Sequence, residues 1–441
     1  MLYEYLKREM LKHPYQTISD ESLTITYLDL LNYAETFGKT LTEQKYGILC
    51  KSELTTVKAL FACLYAQKIA VLMSERYGEL HNKKIIETAC LSYLITDNGV
   101  QKIREDVPET EDLTDVALIM CTSGTTGTPK GAMITEENLL TNLEDISKYF
   151  AIDTSDHILI ARPLYHCAVL TGEFFISLIK GLKITFLSDG FVPVNILKCA
   201  KEKGITVLCG TPTLMYHLSV MNVRSSASLN LRIIAVSGEC MTKTAAKKIR
   251  QAFPHTDIYN VYGLTEASPR VCYLPPEQFD EHPLSVGVPL ASLKAKIEGD
   301  ELLISGNSIM KGYYKNPEVT SKVLKDGWLH TGDIAEMDEA GRITIKCRKD
   351  NMIIRSGMNI YPQEIESALK VNKHILDVMA FGNKEDTVSE KIHLHVVTEL
   401  SKSEVYAICK SNLPSFQLPD VIEIVSEIPK NASGKILRPK R

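Results

Sequence analysis

A chain of 441 residues exceeds what one hydrophobic core usually supports, so two or more domains are expected. With 44% hydrophobic and 24% charged residues the composition is that of an ordinary globular protein, and a net charge of −4 argues against a nucleic-acid or membrane-surface specialist. The eleven cysteines include no CxxC pair, so they read as reduced, mostly buried thiols of a cytoplasmic protein, not as disulfides or a zinc site.

Residues 1–16 are too charged for a secretory h-region, and no signal peptide is expected. Ile25-Thr26-Tyr27 leads into a helical pattern over 28–41. The longest apolar stretch, 56–73, carries Lys58, Gln67 and Lys68, which disqualifies it as a membrane span. Residues 92–96 read as a buried strand, and a second strand, 116–120, feeds into Cys121-Thr122-Ser123-Gly124-Thr125-Thr126-Gly127-Thr128-Pro129-Lys130-Gly131. A helix follows, with Thr135 as its N-cap and a stripe of Leu139, Leu140, Leu143, Ile146 and Phe150.

The segment between that strand and that helix is built to grip a polyphosphate. Glycines let the backbone approach a ligand and turn its N–H groups toward anionic oxygens. The threonines and Ser123 add hydroxyl donors, and Lys130 adds a mobile point charge. A mobile Gly/Thr surface turn is the plainer alternative. It is not the common P-loop, which needs glycine before the lysine and a hydroxyl after it; here Pro129 and Gly131 flank Lys130. Any metal ligand must therefore come from elsewhere in the chain.

Short apolar runs at 157–161, 182–187, 205–209, 231–236 and 257–261 then alternate with helical patterns near 194–203, 212–220 and 242–253. That alternation predicts an α/β fold with helix-covered sheets. From about residue 284 the chain changes to short strands punctuated by glycine, the pattern of a small β-barrel-like subdomain. Beyond Arg348 it reads strand 352–354, helix 362–370, strands 375–381 and 392–398, helix 403–411 and strand 421–425, a smaller α+β unit. The expected organisation is a large N-terminal domain, 1–347, and a mobile C-terminal domain, 348–441, joined at the short charged junction Arg348-Lys349-Asp350.

Several stretches in this order resemble the adenylate-forming superfamily of acyl-CoA synthetases, peptide-synthetase adenylation domains and luciferases, closest to the acyl-CoA ligase branch. They are the 122–131 loop, Tyr262-Gly263-Leu264-Thr265-Glu266, the 306–313 stretch, Trp328-Leu329-His330-Thr331-Gly332-Asp333, Arg348-Lys349-Asp350, Ser356-Gly357 and Pro429-Lys430-Asn431-Ala432-Ser433-Gly434-Lys435. Ile25 to Leu30 resembles an early family segment as well. The resemblance covers essentially the whole chain, and it implies two half-reactions. A carboxylate attacks the α-phosphate of ATP to give an acyl-adenylate and pyrophosphate; a pantetheine thiol, of coenzyme A or of a carrier protein, then displaces AMP.

The resemblance implies roles residue by residue. Thr122, Ser123, Gly124, Thr125, Thr126, Gly127 and Lys130 would hold the phosphates. Glu266 would bind magnesium, since a hard cation bridging phosphate oxygens takes one or two carboxylates. Thr265 would donate to the α-phosphate or the acid, Asp333 would accept the ribose hydroxyls, and Arg348 would reach ribose or phosphate. Ser237-Gly238-Glu239 and Tyr262-Gly263 resemble the adenine-contacting turns. Lys435 would stabilise charge between the attacking carboxylate and the α-phosphate. Rotation about Asp350 would then bring Gly357 to line the pantetheine channel.

On the acid side, His166 would sit by the reacting carboxyl or gate the pocket, with Val169 and Leu170 as an apolar wall. Domains that select α-amino acids place an aspartate here for the ammonium group; residues 165–172 hold no carboxylate and the nearest is Glu173. An aliphatic or aryl acid is expected. Arg270 either reads a second polar group on that acid or is an exposed surface arginine. The presence of Lys435, Glu266 and Asp333 argues against a homologue that has lost catalysis.

Overall fold

The computed structural model describes residues 1–122, 129–187, 192–224, 229–355, 358–383, 390–430 and 436–439. Two large sheets carry most of the chain. The first has nine strands in the order Val288–Pro289, Arg270–Leu274, Asp257–Gly263, Ile233–Val236, Val207–Gly210, His157–Ile160, Lys183–Phe186, Thr17–Ser19 and Thr24–Thr26. From Asp257–Gly263 across to Thr17–Ser19 neighbours pair in parallel, and the flanking strands close both edges antiparallel.

Burial on both faces explains why those strands read as unbroken apolar runs. Ile158, Val207, Cys209 and Ile233 pack into one core, while Leu159, Leu208 and Ile234 pack into another on the opposite face. The period of two along a pleated strand divides them. Helices Pro193–Lys203, Pro212–Arg224 and Lys243–Ala252 cover the second face.

The second sheet has seven strands, ordered Gly312–Tyr313, Lys130–Thr135, Val116–Thr122, Ile69–Leu72, Lys45–Ile48, Tyr93–Thr96 and Gly99–Lys102. Helices Tyr27–Gly38, Glu53–Tyr65 and Glu136–Tyr149 contribute to the core shared between the two sheets. Thr26 and Thr135 both close capping boxes, with Asp29 and Asn138 as reciprocal partners.

One reading of the sequence is corrected here. The glycine loop does not run from strand to helix; residues 130–135 form a strand that returns antiparallel to Val116–Thr122, with Thr122 opposite Lys130 and Cys121 opposite Gly131. Lys-Gly-Ala-Met at its start carries little β-propensity, and pairing on both sides supplies what propensity does not.

The glycine-punctuated region forms a five-stranded antiparallel sheet centred on Trp328–Met337. Beyond it, Ile375–Asn383, Lys391–Thr398 and Val421–Ile424 make a three-stranded sheet covered by helices Pro362–Leu369 and Lys402–Asn412, with a core of its own. Among the described residues no helix is long and apolar enough to cross a membrane. The eleven cysteines are free thiols.

Candidate active site

The functional side chains gather beyond the carboxyl ends of the parallel strands, where open α/β sheets characteristically leave a crevice. Asp257–Gly263 delivers Tyr262 and Gly263, and the chain then turns through Thr265–Ala267 before coming back as Arg270–Leu274. Only glycine fits at 263: a Cβ there would stand 2.1 Å from the Pro269 carbonyl oxygen. That close approach keeps the turn carrying Thr265 and Glu266 tight against the end of the sheet.

Two clusters follow. In the first, Tyr313 Oη donates to Glu266 Oε1 at 2.6 Å, and Lys130 Nζ stands 5.4 Å from the centre of the Tyr313 ring. Sheet pairing sets this up, because Tyr313 lies beside Ala132 on the strand that Lys130 begins. The Met310 amide donates to the Glu266 carbonyl at 2.9 Å, which ties the glutamate turn to the same segment. Burial, then the adjoining glutamate, pushes the Tyr313 phenol far above its ordinary range, so it stays a donor. The sequence reading gave Tyr313 no role; a tyrosine in a Gly-Tyr-Tyr run carries no signal until the strand pairing is known.

In the second cluster, Tyr262 Oη donates to Asp333 Oδ2 at 2.5 Å, and Arg348 Nη1 reaches Asp333 Oδ1 at 3.4 Å and the Thr331 carbonyl at 2.8 Å. Asp333 and Arg348 face each other across paired strands. Burial and the neighbouring Asp333 carboxylate hold Tyr262 protonated. Glu301, also absent from the sequence reading, accepts from the Gly332 amide at 2.9 Å and pairs with Lys349 at 3.0 Å, bracing the strand end that carries Asp333 and the residue next to Asp350. Asp350 itself is exposed in the short turn Lys349–Asn351.

The turn after Ile233–Val236 has Ser237 buried, its hydroxyl without a partner among the described residues, and Gly238 at φ +95°. Glu239 accepts from the hydroxyl of Thr213 at 2.6 Å. His166 precedes the short helix Cys167–Val169; its Nε2 is buried without a partner among the described residues, and burial, reinforced by Arg162, lowers its pKa to about 3. It is neutral at ordinary pH. Val169 and Leu170 are fully buried in the main core, so the apolar wall expected there is closed to solvent in this structure.

A π-helical turn over Leu170–Phe175 then sets Gly172 against Arg270 of the sheet and Glu173 against Arg162, two residues beyond the strand His157–Ile160. Glu173, 0% exposed, is paired with buried Arg162, a contact that sequence distance conceals. Arg270 is 3% exposed, which rules out the surface alternative. Thr122 begins the hairpin with its hydroxyl 3.4 Å from the Lys130 carbonyl. Ser123, Gly124, Thr125, Thr126, Gly127, Gly357 and Lys435 lie outside the described residues.

Residues 99–314 match the model of the AMP-binding enzyme family, and residues 364–435 match that of the AMP-binding enzyme C-terminal domain. The chain belongs to this family of adenylate-forming proteins, as its motifs imply. The long-chain-fatty-acid–CoA ligase of Salmonella typhimurium is 32% identical over 352 residues, covering 74% of this chain and 61% of that enzyme. The chain thus aligns with less than two thirds of that relative. The 2-succinylbenzoate–CoA ligase of Bacillus licheniformis is 29% identical over 427 residues, 89% of this chain and 88% of that enzyme. Among solved structures, O-succinylbenzoate coenzyme A synthetase (MenE) from Bacillus subtilis, in complex with ATP and magnesium ion, matches with a TM-score of 0.86 and 25% identity over 98% of both chains.

Proposed function

We propose that the chain is an ATP-dependent acid–thiol ligase that forms an acyl-adenylate and passes the acyl group to coenzyme A. The observation that carries this reading is the meeting of two carboxylate–tyrosine–cation clusters, Glu266–Tyr313–Lys130 and Asp333–Tyr262–Arg348, at one sheet end. The full-length likeness to a synthetase holding ATP supports it.

In this reading the Asp333 carboxylate accepts the ribose hydroxyls and Arg348 holds it in place. The hairpin loop grips the β- and γ-phosphates, with Lys130 at its end. Glu266 is a hard oxygen donor beside that loop, so the donor set fits magnesium, which when bound would neutralise triphosphate charge. The acid's carboxylate oxygen attacks the α-phosphorus, the bond to the bridging oxygen breaks, and pyrophosphate leaves. Lys435 and Thr265 stabilise the charge gathering between acid and phosphate. The unit at 348–441 then turns about Asp350, Gly357 lines the thiol's approach, and the thiolate displaces AMP from the acyl carbon.

The absence of an unpaired carboxylate in 165–172 supports an aliphatic or aryl acid over an α-amino acid. Use of ATP and coenzyme A, with all cysteines free, supports a cytoplasmic enzyme. Pyrophosphate release with a panel of carboxylic acids, with and without coenzyme A, tests the reading. Acid-dependent release, with thioester formed when the thiol is added, is expected; no release with any acid would sink it. Replacing coenzyme A by a phosphopantetheinylated carrier protein decides the acceptor.

A further inference from the structure

Arg270 is the buried charge that the proposed chemistry leaves unused. Its backbone is clamped by the fully buried Asn142, which donates to the Arg270 carbonyl at 2.8 Å and accepts from its amide at 3.2 Å. Register places it opposite Gly263, beside the turn that carries Glu266. Its side chain crosses to the substrate segment and lies flat on Gly172: a Cβ there would stand 2.5 Å from Nε and 2.6 Å from Nη2.

What the guanidinium lacks among the described residues is a counter-ion. Nη2 makes one long hydrogen bond, 3.5 Å to the Gly172 carbonyl, and Nε has no partner among the described residues. The nearby Glu173 is taken by Arg162. Arg270 lies close enough to the Cys167 and Cys209 thiols to act on both, and Arg162 and Glu173 act on Cys209 as well. Two carboxylates stand near these two guanidinium groups, since Glu266 acts on Cys167 as well, but Glu173 is engaged by Arg162 and Glu266 by Tyr313, so neither is paired with Arg270. A guanidinium keeps its proton at any working pH, and burying it without an anion is costly. Its planar fork matches a carboxylate in two parallel hydrogen bonds.

We propose that Arg270 receives a second carboxylate on the substrate, so that the acid activated here is a dicarboxylate whose distal end is seated on the Arg270–Gly172 contact. This deepens the ligase reading and rests on it for the identity of the reacting end. A long monocarboxylic tail would set methylenes against an unpaired buried charge. An α-amino acid would bring a further positive charge beside a guanidinium that has no ion-pair partner among the described residues.

The test compares α,ω-dicarboxylates with monocarboxylates of matched length in pyrophosphate release, and binding of the same acids to the nucleotide-free protein by calorimetry. The wild-type chain should favour the dicarboxylate in kcat/KM, and Arg270→Met should lower the dicarboxylate-to-monocarboxylate ratio about 100-fold or more, as sites built for a polar group do when the pairing is lost. Gly172→Ala keeps the charge but displaces it, and should lower the same ratio; it serves if Arg270→Met does not fold, which urea midpoints report. Equal loss for both acid classes would place Arg270 on the reacting carboxylate and overturn the inference. So would a wild-type preference for monocarboxylates. Dicarboxylate binding abolished by Arg270→Met, without pyrophosphate release from any acid, would sustain the anion site and remove the ligase reading. Binding unchanged by the substitution would remove the anion site alone.

Discussion

The nucleotide side and the acid side of this site are built on different principles. Asp333 and Glu266 each hold a hydrogen bond from a tyrosine, so the two carboxylates proposed for the nucleotide side are held in place before any ligand arrives. On the acid side Arg270 Nε, His166 Nε2 and Glu173 Oε2 are buried without partners among the described residues. Buried polar atoms left unpaired are costly, so the fold tolerates on one side what it avoids on the other. The first side is a standing grip common to any acid; the second awaits a particular one.

The largest effect is expected at Lys435, the side chain proposed to act between the two. Lys435→Ala should reduce acid-dependent ATP–pyrophosphate exchange by about 10²–10³-fold, the cost of one donor to a developing oxyanion. Thioester formation from preformed acyl-AMP should change little, and equal loss of both steps would end the division of labour proposed. Next comes Tyr313→Phe, which leaves Glu266 without its 2.6 Å donor. The magnesium needed for half-maximal activity should rise about 10-fold, as for other residues that orient a metal ligand; an unchanged magnesium profile would show that the tyrosine only packs.

Arg438→Met tests the anchoring of the tail. Arg438 pairs with buried Glu366 at 2.5 Å and donates to the Ala380 carbonyl at 3.2 Å, three residues from Lys435, and Ile436 bridges back to Lys430. Breaking such a pair should cost about 3 kcal/mol in urea unfolding. Adenylation should fall more than thioester formation; equal effects would make it a stability residue alone. The smallest effect belongs at the opposite end of the sheet. His157, bonded to the Lys203 carbonyl and the Thr185 hydroxyl, has its pKa lowered by burial to about 4 from an ordinary 6.5. The unfolded chain takes a proton that the folded chain refuses, so this contribution to stability is complete above pH 6.5 and fades as pH falls toward 4. His157→Gln should flatten that slope in urea midpoints at pH 7 and 4.5, without altering acid preference.

Much of the fold was legible because its signals are local. Capping at Thr26 and Thr135, the helical stripe from Leu139 to Phe150, and the strand–helix order beyond Arg348 all appear where periodicity and cap chemistry put them. Motifs in sequence order named the residues proposed for the nucleotide side, and the structure brings Glu266 to Tyr313 and Asp333 to Tyr262 and Arg348. What stayed hidden depends on register. Tyr313 reaches Glu266 only because its strand pairs with residues far earlier in the chain. Arg270 follows Ser-Pro, where the sequence leaves a substrate contact and a surface charge both open; pairing opposite Gly263 and the clamp from Asn142 bury it. Arg162 and Glu173 are eleven residues apart, and only the π turn brings them into contact.

The two-residue strand Gly312–Tyr313 has a consequence for synthesis as well as for binding. Until it pairs, the strand Lys130–Thr135 is the open edge of its sheet, with unsatisfied backbone groups able to template association. A nascent chain therefore carries an unprotected edge, and an incomplete phosphate grip, through the production of some 180 further residues between Lys130 and Gly312. Any fragment intended to retain nucleotide binding has to extend past Tyr313, however complete its glycine loop.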